Sequence, residues 1–261
     1  MEFRLLGEVE AWAEDRQLDL GPPQQRLVLA VLALQVNRLV SVGRLVDLTW
    51  PESPPPTARH AIHVRVSRLR AILATAGAHD HGVSIVTRGP GYILRADPAS
   101  VDAHRFRALV TAARAEAHDP DLQASLLRRA LNLWRGPPLA DVATPRVEEL
   151  CRALREARLT ALEEWLDAEL RLGRHEQVID ELADRVVAHP HRQRLLAHLM
   201  LALYRAGRAP EALAAYQHAR RRLIDEFGLE PGSELQKLQR AILRGDPALE
   251  LPPERTDETP S

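Results

Sequence analysis

One cysteine, Cys151, occurs in 261 residues. A disulfide within the chain needs two and a thiolate zinc centre needs several, so both are excluded, and such cysteine usage suits a reducing compartment. Lysine is as scarce: Lys237 stands alone and every other Lys or Arg position is arginine. With alanine and proline abundant, this bias looks genomic, so arginine count alone carries no functional weight. Aromatic residues are 4% of the chain against 45% hydrophobic residues, so its cores must be built from Leu, Val, Ile and Ala. No run of about 18 apolar residues occurs, and Met1 leads straight into mixed polar sequence, which points to a cytoplasmic protein. Phosphate-loop, nucleophile-elbow and H-E-x-x-H patterns are all missing, so neither an enzyme nor a cofactor is expected. His79-Asp80-His81 and His189-Pro190-His191 fall in expected turns with no partnered ligands, so no metal is expected either. Cys151, among helix formers, reads as a packing residue. Trp134, Trp165, Tyr204 and Tyr216 read as core and inter-repeat packing.

What is present is unevenly distributed. Net charge is −1, yet from Gln24 to Arg95 nine arginines face only Asp47, Glu52 and Asp80, a local balance of +6 that leaves −7 for the rest. A basic module joined to an acidic one suits a polyanion partner for the first alone. Within the basic module lies Pro56 to Ala76. At 100° per residue, Ile62, Val66, Leu69 and Leu73 fall within about 60° of one another and form a buried helix face. The opposite side gathers His60, His63, Val64, Ser67 and Arg68, flanked by Arg59, Arg65 and Arg70, with no carboxylate in the stretch. A helix apolar behind and basic in front suits a DNA major groove.

Residues 2 to 20 alternate loosely and predict two or three antiparallel strands. Pro23 can open a helix that continues over Gln24 to Val36. Ser41 is a candidate N-cap for a short helix through Trp50, and four prolines between Pro51 and Pro56 forbid any helix there. Thr57 or a neighbour can cap the central helix, which Gly77 ends. Ser84 to Leu94, interrupted by Gly89-Pro90-Gly91, predicts a hairpin. Strands, three helices and a closing hairpin make a winged helix-turn-helix, giving an α+β domain over residues 1–98.

From Val101 the strand signals stop. Helices are predicted at roughly 104–117, 121–135, 145–172, 175–188, 191–206, 210–226 and 232–244. An internal repeat has an offset of 34: Leu170-Arg171-x-Gly173-Arg174 recurs as Tyr204-Arg205-x-Gly207-Arg208, and Val178 and Leu182 recur as Ala212 and Tyr216. Paired helices at this period resemble degenerate tetratricopeptide repeats. The expected second domain is therefore all-α, over 101–248, with a disordered tail at 249–261.

The sequence V-S-R-L-R followed by T-R-G-P-G-Y resembles the OmpR/PhoB-type winged-helix domain. In that family the third helix enters the major groove, and the resemblance implies that Arg88, ahead of the Gly-x-Gly-Tyr hairpin, reaches phosphates or the minor groove. W-R-G-P-P-L-A-D, A-Y-Q-H-A-R-R-R-L and E-F-G-L-E-P-G-S-E-L-Q-K-L are similar to the bacterial transcriptional activation domain. Together, residues 1 to about 248 resemble the Streptomyces antibiotic regulatory protein (SARP) family, in its small form without receiver or ATPase modules. The resemblance implies an activator of a secondary-metabolite gene cluster that binds directly repeated sites in double-stranded DNA as a homodimer. It also implies recruitment of RNA polymerase through its σ and α subunits, a nucleoid location and no membrane. The expected major-groove readers are His60, His63, Val64, Ser67 and Arg68, with Arg59, Arg65, Arg70 and Arg88 on phosphates or in the wing. Two other readings remain open: a helical-repeat adaptor that binds protein, and a ligand-sensing regulator.

Overall fold

Alternation at the start of the chain produces three short antiparallel strands, β1 (Glu2–Arg4), β2 (Glu10–Ala13) and β3 (Arg16–Gln17), paired in that order. Phe3 lies opposite Ala11 and both are fully buried. The computed structural model describes residues 1–142 and 144–250; of the tail expected at 249–261, residues 251–261 fall outside them, while Leu249 ends a short 3-10 helix, Pro247–Leu249. Pro23 opens α1 (Pro23–Leu34) at its first turn, where a missing N–H costs nothing. Every residue of α1 from Leu27 to Ala33 is buried, so this helix is the centre of the first core.

Ser41 caps α2 (Val42–Thr49) as its position predicts, its hydroxyl accepting the Arg44 N–H at 3.2 Å. The central helix α3 spans Ala58–Thr75 and buries Ile62, Val66, Leu69 and Leu73, the predicted stripe. Thr57 differs from expectation, because its side chain makes no capping bond. Its φ of −89° and ψ of 6° continue a turn in which the Pro55 carbonyl accepts the Ala58 N–H, so backbone satisfies the first amide instead. Beyond α3, Gly77 takes the left-handed φ of 72° at which the helix stops.

The hairpin consists of β5 (Ser84–Arg88) and β6 (Gly91–Arg95). It pairs with a strand the sequence did not announce, β4 (Val40–Ser41), giving the order β4-β6-β5. At the closest point a Cβ on Gly91 would sit 2.1 Å from the Val40 carbonyl oxygen, so only glycine lets these strands meet. These two small sheets and α1 to α3 thus form a winged helix-turn-helix.

Seven helices follow among the described residues: α4 (Asp102–Ala115), α5 (Pro120–Leu131), α6 (Pro145–Arg171), α7 (His175–Ala188), α8 (Gln193–Arg205), α9 (Ala209–Phe227) and α10 (Ser233–Arg244). The 34-residue repeat is structural. The Gly173 N–H donates to Leu170 O and the Gly207 N–H to Tyr204 O, while the Arg174 and Arg208 N–H groups donate to Glu169 O and Leu203 O. Both glycines have φ near 75° (75° and 74°). The repeat also departs from itself: α7 ends at Ala188 before Pro190, whereas α9, with Ile224 at the equivalent place, continues to Phe227. Proline cannot extend a helix and isoleucine can.

Packing divides the chain elsewhere than composition does. One compact unit holds residues 1–115 with 126–161, and the second holds, of the described residues, 116–125 with 162–250. In the first unit the Asp102 carboxylate, 2% exposed, accepts the Leu5 N–H at 2.8 Å and the Leu6 N–H at 3.0 Å. The Arg135 and Leu139 N–H groups donate to Leu6 O and Leu5 O. Asp141 accepts the Val9 N–H and pairs with Arg26 at 2.6 Å. Buried backbone groups must find partners, and those of the loop after β1 find them beyond residue 98. In the second unit Leu166, Leu182, Leu195, Met200, Ala212 and Tyr216 are buried between successive helices, and Trp165, 2% exposed, donates its indole N–H to Glu169. Trp134 and Tyr216 are buried too, while Tyr204 is half-buried. Among the described residues no helix is long and apolar enough to cross a membrane.

Candidate nucleic-acid interface

The burial of Ile62, Val66, Leu69 and Leu73 fixes which side of α3 faces outward, and the outward side is cationic. Arg59, His60, His63, Ser67 and Arg68 are exposed and Val64 is half-buried between them. The helix has 18 residues, about 27 Å of axis, enough to run along a major groove about 12 Å wide. No Asp or Glu occurs from Ala58 to Thr75, so nothing on the helix repels phosphate. Arg88 ends β5 and is exposed at the tip of the hairpin, beside the Gly89-Pro90 turn.

The remaining expected contact residues are held by the protein. Arg65 is half-buried; its guanidinium donates to the Gln24 side chain and lies over the Trp50 ring, 5.1 Å from the centroid. Burial, and then the charge of Arg68, lower its pKa from the usual arginine value. Arg70 donates to Ile85 O at 2.8 Å and Thr87 Oγ1 at 2.9 Å, and lies 5.5 Å from the Tyr92 ring centroid. The His63 ring meets Tyr92, with Nδ1 at 2.5 Å from the phenolic oxygen. The structure therefore separates the expected set into an open group, Arg59, His60, Val64, Ser67, Arg68 and Arg88, and a group tied into the wing or α1, namely His63, Arg65 and Arg70.

Sequence reading missed the partners that make this separation: Gln24, Trp50 and Tyr92. It also assigned no role to Arg44, which is exposed in the first turn of α2, two residues after Val42, whose N–H donates to Pro90 O in the wing turn at 2.9 Å. A signal existed, since Arg44 stands three residues after the capping Ser41. Elsewhere, Cys151 is buried, donates to Pro138 O and has a thiol pKa pushed up to about 11 by burial. It packs, as its surroundings predict. His79-Asp80-His81 forms a short exposed turn, and among the described residues no group of three or more His, Cys, Asp or Glu side chains could hold a metal ion.

Residues 101–243 match the family described as bacterial transcriptional activator domain, and residues 15–94 match the family described as transcriptional regulatory protein, C terminal. The chain is 35% identical over 257 residues to the regulatory protein DnrI of Streptomyces peucetius, covering 96% of this chain and 94% of that one. It is 36% identical over 255 residues to the transcriptional regulator RedD of Streptomyces coelicolor, covering 97% and 73%. Identity to the regulatory protein AfsR of Streptomyces coelicolor is 43% over 252 residues, but the chain spans only 25% of that protein's length. Among solved structures, Mycobacterium tuberculosis EmbR in complex with a low-affinity phosphopeptide superposes with a TM-score of 0.88 at 36% identity, covering 94% of this chain and 65% of that one.

Proposed function

Because this chain belongs to the SARP family of transcriptional regulators, joining a transcriptional regulatory C-terminal domain to a bacterial transcriptional activator domain, we propose that it activates transcription by binding double-stranded DNA at specific sequences. The observation that carries this reading is α3, an 18-residue helix that is apolar toward the core, cationic outward and free of carboxylate. His60, Val64, Ser67 and Arg68 read base edges in the major groove. Arg59, Arg44 and, from the wing, Arg88 neutralise phosphates and set the register. Residues 1–98 bind the duplex. Residues 101–248 contribute protomer pairing on directly repeated sites and contact with RNA polymerase, at promoters of a secondary-metabolite gene cluster.

Equilibrium binding of the full chain to duplex DNA across a series of salt concentrations tests this reading. Phosphate neutralisation predicts affinity falling steeply and linearly on a log–log plot, by roughly 0.9 of a unit for each phosphate contacted. A site selected from random sequence should be bound tighter than unrelated duplex, and a promoter carrying it should be transcribed more in vitro. Binding indifferent to salt and sequence would instead favour a protein-binding repeat adaptor.

A further inference from the structure

Tyr92 is 4% exposed and lies in β6 between Val40 of β4 and Thr87 of β5. Its ring belongs to the wing core, yet its hydroxyl points at the recognition helix. There it meets His63 Nδ1 at 2.5 Å, the two rings edge to face with centroids 6.0 Å apart. The two groups share one hydrogen bond through this nitrogen. From the next turns of α3, Arg70 covers the Tyr92 ring and ties into β5 at Ile85 O and Thr87 Oγ1. Two outward side chains of the helix, seven residues apart, thus grip one tyrosine of the sheet, and β5 leads three residues beyond Ile85 to Arg88 at the tip.

We propose that His63 is a positioning residue, not a base reader: with Arg70 it clamps Tyr92, which fixes the wing to the recognition helix and sets where Arg88 meets the duplex. A hydrogen bond to a buried hydroxyl occupies His63 Nδ1 and aims the ring at the sheet. Base readout then falls to the side chains left open, His60, Val64, Ser67 and Arg68. The inference rests on the DNA-binding reading above, but the clamp itself exists with or without DNA, and the two can be tested apart.

Without DNA, a double-mutant cycle of thermal unfolding on the full chain, with Tyr92→Phe and His63→Ala, reads whether the two side chains are coupled. Non-additive changes are expected, and strict additivity overturns the clamp. With DNA, each variant is titrated on a selected and an unrelated duplex over a salt series, in wild-type and Arg88→Ala backgrounds. If His63 works through the wing, each variant weakens both duplexes by a similar factor, about fivefold for one lost hydrogen bond. The salt slope then drops by about one, and no further drop follows once Arg88 is gone. His63→Asn discriminates further, since its amide takes the place of Nδ1 but offers nothing at Nε2. It should restore the salt slope and both affinities. A His63→Ala loss confined to the selected duplex and not rescued by Asn makes His63 a base reader and overturns the proposal. A chain that keeps the coupling but binds no duplex overturns the DNA-binding reading, and with it the use proposed for the clamp.

Discussion

Arg88 shows how a single cation can be assigned a role by what surrounds it. It is exposed and ends β5 beside a two-residue turn. Arg88→Ala is expected to weaken selected and unrelated duplexes by similar factors and to lower the salt slope by about one; an unchanged slope would remove the wing from the interface. Asp102 is a residue of the opposite kind, a carboxylate spent on structure. Asp102→Ala leaves the Leu5 and Leu6 amides without acceptors inside the core, and at about 1–3 kcal/mol for each it should cost about 2–6 kcal/mol in urea unfolding. Burial raises its pKa above the usual 3.8 despite the amides and Arg135. The folded state therefore holds this proton more tightly than the unfolded one, so the contribution of Asp102 to stability falls as pH rises from 3.8 through the raised value. Asp102→Asn cannot titrate, so its stability deficit against wild type should narrow across that window; a gap that widens would contradict the assignment. At this scale the sequence revealed which residues face outward on α3, because helical period and burial decide that locally. It did not reveal which arginines are taken. Arg65 depends on Gln24 and Trp50, and Arg70 on strand β5, partners brought near only by the fold.

Elements were legible where a local rule fixes them. Helices α4 to α10 follow their periodicity and the glycines and prolines between them, and α2 starts where Ser41 caps it. The two-residue strand β4 was not legible, since Val40-Ser41 has no periodicity of its own and becomes a strand only by pairing with β6. That pairing makes Gly91 a demanding position. Gly91→Ala places a methyl 2.1 Å from the Val40 carbonyl oxygen, and because backbone has to move to admit it, a loss at the upper end of the ~1–3 kcal/mol overpacking range is expected in thermal unfolding. A neutral substitution would mean that β4 does not pair there. In the helical array, Ile224→Pro would impose on α9 the ending that Pro190 gives α7. About 3 kcal/mol or more of lost stability is expected, together with lower helicity by circular dichroism.

At the scale of the whole molecule, the last strand ends at Arg95 and helices follow, yet the chain packs residues 101–115 and 126–161 into the same compact unit as the winged helix. Composition reports which elements form; it cannot report that Asp102, Arg135 and Asp141 complete the hydrogen bonding of the loop after β1. A fragment cut at residue 98 is accordingly expected to unfold at a lower temperature than the full chain. The outward face of α3 carries the proposed function, and Arg68 is its most central open cation. The most direct test is the affinity of full-length wild type and Arg68→Ala for a selected site and for unrelated duplex at one fixed salt concentration. A loss of about 1–3 kcal/mol is expected on the selected site and much less on unrelated DNA, so that the ratio between the two collapses. An unchanged ratio would contradict sequence readout by Arg68 and take from α3 the role on which the proposed function rests.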